Sequence, residues 1–156
     1  MTVITDKGPQ LTENDLRAFE KEMRSTFPED YRTFLLTHNG GQPKPYFFKV
    51  PGWQYQQSLV NELKGIVSNS QSVDLREDNS IMEGRLPKGF VSIGDDPGGN
   101  KILISLDGST RGKIYFFDHE NEPDVSTDKL EDYSNIYLLA DSFDQFLNSL
   151  KEEDEL

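Results

Sequence analysis

Near Pro45 the apolar residues of this 156-residue chain change their period. Before it, Leu16, Phe19 and Met23 recur at i, i+3 and i+7, and Tyr31, Phe34 and Leu35 fall on one helical face, the stripe that a surface helix buries. After it come short aromatic or β-branched runs divided by turn residues: Tyr46–Val50, Leu63–Val67, Phe90–Ile93, Lys101–Leu106 and Lys113–Asp118. Such runs read as strands. Helices followed by strands give an α+β fold.

Local signals place the ends. Thr12 precedes the first stripe with acids behind it, and Pro28 followed by Glu29 and Asp30 opens the second, as helix starts require. His38-Asn39-Gly40-Gly41 ends that second helix, because glycine adopts the left-handed conformation without a Cβ clash. His38 at such an end sits where a cation is favoured. Ser142 and Gln145 form a capping-box pattern before Phe143, Phe146, Leu147 and Leu150, predicting a closing helix packed on the sheet. The later strands have short, glycine-bearing connections, which favour antiparallel neighbours. The expected architecture is therefore an N-terminal helical pair, a central, mostly antiparallel sheet of about five to six strands, and a C-terminal helix. A short helix is expected near Ser72–Met82, and an acidic loop over Glu120–Ser134. Residues 1–10 read as extended or disordered, 11–150 as one domain and 151–156 as a frayed acidic tail.

Composition removes several function classes. The chain has no Cys, so thiolate metal sites and Cys nucleophiles are excluded, and a reducing, cytoplasmic setting is expected. No run of about 18 apolar residues is present, so no membrane partner is expected. The net charge of −12 disfavours nucleic acid, whose phosphates call for clustered Lys and Arg. Residues 118–156 hold 13 acidic residues against only Lys129 and Lys151, and so carry nearly all of that charge.

Three groups of residues bear on chemistry. Gly94, Asp95, Asp96, Gly98, Gly99 and Asn100 surround Pro97 between two strands. Paired carboxylates and glycines fit a Ca²⁺ loop or a phosphate cradle, but the distal Glu of the first and the Lys of the second are missing. The same residue types are what a strand-to-strand turn requires, and the run reads as a structural turn. Asp118-His119-Glu120 ends an aromatic strand. Its neighbours point to opposite faces, so it does not converge on a metal or a proton unless the other strand ends lie beside it. Asp118, Glu120, Glu122, Asp124, Asp128, Glu131 and Asp132 lie within fifteen residues. They make either a solvated loop or a surface that steers a basic protein. Trp53 is either core or an interface anchor. No G-x-S-x-G elbow or other nucleophile set is present, and no cofactor, metal ligand set or catalytic residue is expected.

Four blocks then resemble one family in order. They are Leu11–Phe19 with Phe27–Gly41; Phe90–Asp96 with Gly98-Gly99-Asn100; Lys113–Glu120; and Ala140–Leu147. Together they resemble the successive motifs of the SUKH superfamily, which includes the fungal Smi/Knr cell-wall regulators. Pro97 interrupts the usual Asp-Asp-Gly-Gly run, and Ser68–Arg85 matches no block. The resemblance implies an α+β domain that binds proteins and is no enzyme. Bacterial members of that superfamily act as immunity proteins against toxins, often nucleases or deaminases, whereas fungal members act as regulatory scaffolds. The expected partner is a cognate, basic toxin bound by a monomeric domain.

Overall fold

The computed structural model describes residues 2–66 and 74–156. The chain opens with strand β1 (Val3–Thr5), followed by helices α1 (Glu13–Met23) and α2 (Glu29–Thr37). Thr12 Oγ1 accepts from the Asp15 amide at 3.1 Å and Asp15 Oδ2 from the Thr12 amide at 2.9 Å. This reciprocal pair satisfies donors that every helix start leaves free. Arg32 ties the two helices together, donating to Glu13 at 2.7 Å and to Glu20 at 2.8 Å. Hydrogen bonds to Glu20 and Glu13 hold the Arg32 guanidinium further above its already high range. Leu16 and Phe19 are buried as the stripe requires.

The α2 exit is a junction. Asn39 is left-handed at φ 51° and buried. Its amide donates to the Pro9 and Ile66 carbonyls at 2.9 Å each, and its Oδ1 accepts from the Ile66 N–H at 2.8 Å. Gly40 (φ 90°) sits so close to the next segment that a Cβ would lie 2.7 Å from the Gly65 nitrogen. His38 does not behave as a favoured helix-end cation: burial, and then the charge of Lys7, hold its imidazole below the usual range.

Strands β2 (Gln42–Lys44), β3 (Phe47–Lys49), β4 (Gln57–Leu59) and β5 (Glu62–Leu63) follow. β1 pairs with β2, and β3 pairs with β4, each pair forming a two-stranded antiparallel sheet. Tyr46–Val50 thus stands apart from the main sheet, contrary to expectation, because the turn at Pro51–Gln56 returns the chain onto it. Of the strand expected at Leu63–Val67 only Leu63 is in a strand, at the end of the short β5; residues 64–66 are not strand, and Val67 lies outside the described residues. Helix α3 (Leu75–Ile81), capped by Asp74, fills most of the helix expected at Ser72–Met82, whose first two residues also lie outside the described residues.

The main sheet runs β5, β6 (Phe90–Asp95), β7 (Lys101–Ser105), β8 (Ile114–Phe117), β9 (Ile136–Ala140), every pair antiparallel. Its strands alternate between two buried faces. Ile102, Ile104, Ile114 and Phe116 face the helices in the larger core. Leu103, Tyr115 and Phe117 face the other way, beneath Met82, Leu86, Phe90, Leu130 and Ile136. Helix α4 (Phe143–Ser149), capped by Ser142, closes the larger core, where Phe143 meets Tyr31 at 5.1 Å and Phe34 at 4.9 Å between ring centroids. Residues 151–156 begin with Lys151, whose backbone exchanges two hydrogen bonds with Phe47, and end in a 3₁₀ turn over Glu153–Glu155. Among the described residues no helix is long and apolar enough to cross a membrane.

Candidate functional site

The antiparallel register decides what meets what. Lys101, at the start of β7, pairs with Phe117, at the end of β8. The β6–β7 turn therefore stands beside Asp118 and His119. Gly94 and Asp95 belong to β6, so the turn itself is Asp96–Asn100, shorter than the residue types predict. Asp96 organises it: Oδ1 accepts from the Gly98 and Asn100 amides at 2.9 and 2.8 Å, and Oδ2 from Ser58 Oγ and Asn100 Nδ2 at 2.7 and 2.8 Å. Gly99, at φ 91°, leaves room for the His119 ring; a Cβ there would lie 3.3 Å from Nε2. Asn100 Oδ1 accepts from the His119 amide at 3.1 Å, tying the two strand ends together.

Asp118 and Trp53 meet each other in the interior. Trp53 is only 8% exposed and Asp118 2%. Trp53 Nε1 donates to Asp118 Oδ2 at 3.0 Å, while the indole lies 4.6 Å from the Phe116 ring centroid. Asn121 Nδ2 also donates to Oδ2, at 2.6 Å, and the Glu120 amide donates to Oδ1 at 3.0 Å. Burial pushes the Asp118 carboxyl up, but these donors and the His119 charge outweigh it and hold the group below the usual carboxylate range. Asp118 thus pins the base of the acidic loop, and Trp53 sits under that loop as an inward-facing wedge.

The strand ends that metal chemistry would require are neighbours, yet their carboxylates are engaged. Asp96 accepts four hydrogen bonds and Asp118 three. Asp95 faces the buried Lys64 ammonium at 3.3 Å, which Glu62 also meets at 3.1 Å. Burial lowers the Lys64 pKa, and the two carboxylates overcome this and raise it. Among the described residues no group of three or more His, Asp and Glu is placed to hold a metal ion.

What faces solvent is the loop beyond Asp118. Glu120, Asp124, Asp128, Glu131 and Asp132 are exposed. Asp132 accepts from Thr127 Oγ1 at 2.8 Å, and Glu122 is ion-paired with Arg85, whose guanidinium lies 5.7 Å from the Phe117 ring centroid. The seven acids singled out by sequence therefore divide by role: Asp118 is a buried anchor, Glu122 a clasp onto the segment before β6, and five remain as exposed charge.

The model of the SMI1 / KNR4 family (SUKH-1) matches residues 10–149. The chain belongs to the SMI1/KNR4 family. No curated protein matches it. The SMI1/KNR4 match runs through the helical pair, the whole main sheet and all of α4, so the two turns built around Asp96 and Asp118 both fall inside it. Sequence reasoning missed Ser58 and Asn121, the donors that complete those turns; both are polar residues in loops or short strands, with no local pattern to distinguish them. It also missed Leu138, which is 47% exposed on β9. The signal for β9 was the uncharged run Ile136-Tyr137-Leu138-Leu139-Ala140.

Proposed function

We propose that this SMI1/KNR4 domain is a protein-binding, non-enzymatic immunity protein of the cytoplasm that neutralises a cognate basic toxin through its acidic loop. The observation that supports this reading is exposed charge on an anchored loop: Glu120, Asp124, Asp128, Glu131 and Asp132 project from a loop whose root is fixed at Asp118, with Lys129 the one basic residue among them. Charge presented in this way raises association rate and selects partners of opposite sign. A toxin that acts on nucleic acid carries a basic active surface, which fits such a face.

The test joins capture to rescue. The tagged chain is used to capture proteins from the source organism, beside a variant carrying Glu120→Lys, Asp124→Lys and Asp128→Lys. The main captured protein is identified and expressed with and without this chain. One basic partner that arrests growth alone, is neutralised by the native chain, and is bound about ten-fold or more weakly by the variant at physiological salt is the expected result. Several weak partners with no toxicity would instead support a regulatory scaffold of the fungal kind and overturn the immunity reading.

A further inference from the structure

Strand β9 ends the main sheet, and among the described residues no hydrogen bond reaches its outer edge. The phase of the ladder shows which groups are open. The Asp118 N–H donates to the Asn135 carbonyl at 2.9 Å, and Phe117 is paired with Ile136. Alternation in an antiparallel pair then turns the N–H and C=O of Ile136 and Leu138 away from β8. Edge strands are commonly blunted by charge, proline, brevity or a bulge. β9 has five residues, none charged and none proline. Its register shifts opposite Ile114 and Tyr115, leaving Leu139 as the extra residue, so the regular edge is the part from Ile136 to Leu138.

The surroundings select an occupant. Glu131 and Asp132 precede β9, and Asp141 and Asp144 follow it, with no Lys or Arg between Glu131 and Asp144 in the sequence; of these four, Asp141 is met by Lys113 at 3.7 Å and stays largely exposed. On one side Tyr137 lies against Gly52, 3.6 Å from where a Cβ would stand, in the turn that also carries Tyr55, 61% exposed. On the other, Leu138 offers an apolar contact. A second copy of this chain would bring the same acids against themselves. We infer that β9 accepts an extended, cationic segment of the partner as a sixth strand of the main sheet, backbone bonds supplying the pairing and alternate Lys or Arg side chains meeting the flanking acids. This rests on the protein-binding reading above and adds the mode of contact.

The probe is a short synthetic peptide alternating lysine with valine, beside the same peptide methylated on alternate backbone nitrogens, which keeps the charge and blocks strand pairing. Amide hydrogen exchange is followed residue by residue in the full chain. The plain peptide slows exchange at Ile136 and Leu138 by about ten-fold, the methylated one leaves both unchanged, and Leu138→Lys removes the protection without moving the thermal midpoint. Binding of both peptides with no protection at β9, or binding of neither, overturns the inference. So does protection of the same amides by raised protein concentration alone, which assigns the edge to a second copy. With the captured partner in hand the two readings separate. A toxic partner that leaves β9 unprotected and still binds the Leu138→Lys variant sinks the edge alone. A harmless partner that protects β9 sinks immunity alone.

Discussion

Asp118 illustrates how one side chain can hold a surface without belonging to it. Its three donors come from Trp53, Asn121 and the Glu120 backbone, so removing any one leaves a buried carboxylate short of a partner. Trp53→Phe keeps an aromatic ring beside Phe116 but removes the indole N–H together with part of the fused ring. It should lower stability by about 1–3 kcal/mol, measured by urea unfolding at neutral pH. The pH dependence has a definite sign. The folded carboxyl titrates below its ordinary 3.8, so its contribution is fully present above that value and is lost as pH falls through the lowered folded value. In Trp53→Phe the folded value moves up toward the ordinary one, and the variant's stability depends less on pH across that acid window. A variant with an unchanged acid limb would show that the indole contributes packing and no charge stabilisation.

At the level of elements, the legible parts were those with local chemistry of their own. Helices α1, α2 and α4 showed caps and stripes, and β6, β7 and β8 showed apolar runs with glycine turns between them. β2 and β4 are three residues each and hold Gln42, Pro43, Lys44, Gln57 and Ser58, whose types carry no strand preference; only their partners make them strands. β1, Val3–Thr5, is β-branched throughout, but three residues are too short a run to mark a strand without its partner. The pairing of β3 with β4 had a signal in Pro51-Gly52, a turn signature between two short runs. The meeting of the Asp96 turn with Asp118 follows from register alone, which residue types do not display but an antiparallel meander implies. The α2 exit gives the matching test of backbone. Gly40→Ala forces a Cβ to within 2.8 Å of the Leu63 carbonyl oxygen as well as the Gly65 nitrogen at φ 90°, whereas Gly84, at φ 79°, has nothing within 4 Å of an added Cβ. Gly84→Ala should cost about 1 kcal/mol from backbone strain, and Gly40→Ala at least about twice that, since backbone must also move. Equal midpoints for the two in thermal unfolding would mean that the junction with Gly65 is loose.

Across the whole molecule, one larger core joins α1, α2, α4, β3 and the inner face of the sheet, so helices and strands should lose structure together. Phe116→Ala removes a fully buried ring that touches both Phe48 and Trp53 and should cost about 3–5 kcal/mol. Helical circular dichroism and tryptophan fluorescence should still report one midpoint; separate midpoints would show that the β3–β4 hairpin unfolds as a unit of its own. The acidity of the last quarter, by contrast, lies largely outside this core. Only Asp118 among the loop acids enters the buried interior, so changing the exposed ones should leave folding stability nearly unchanged, as urea unfolding would measure.

Trp53 is the chain's lone tryptophan, and its indole N–H is fixed to the carboxylate at the root of the acidic loop. The protein thereby contains an intrinsic optical reporter. A change in that root on docking would shift the emission of a single, known fluorophore, and occupancy of the loop would be readable in unlabelled protein.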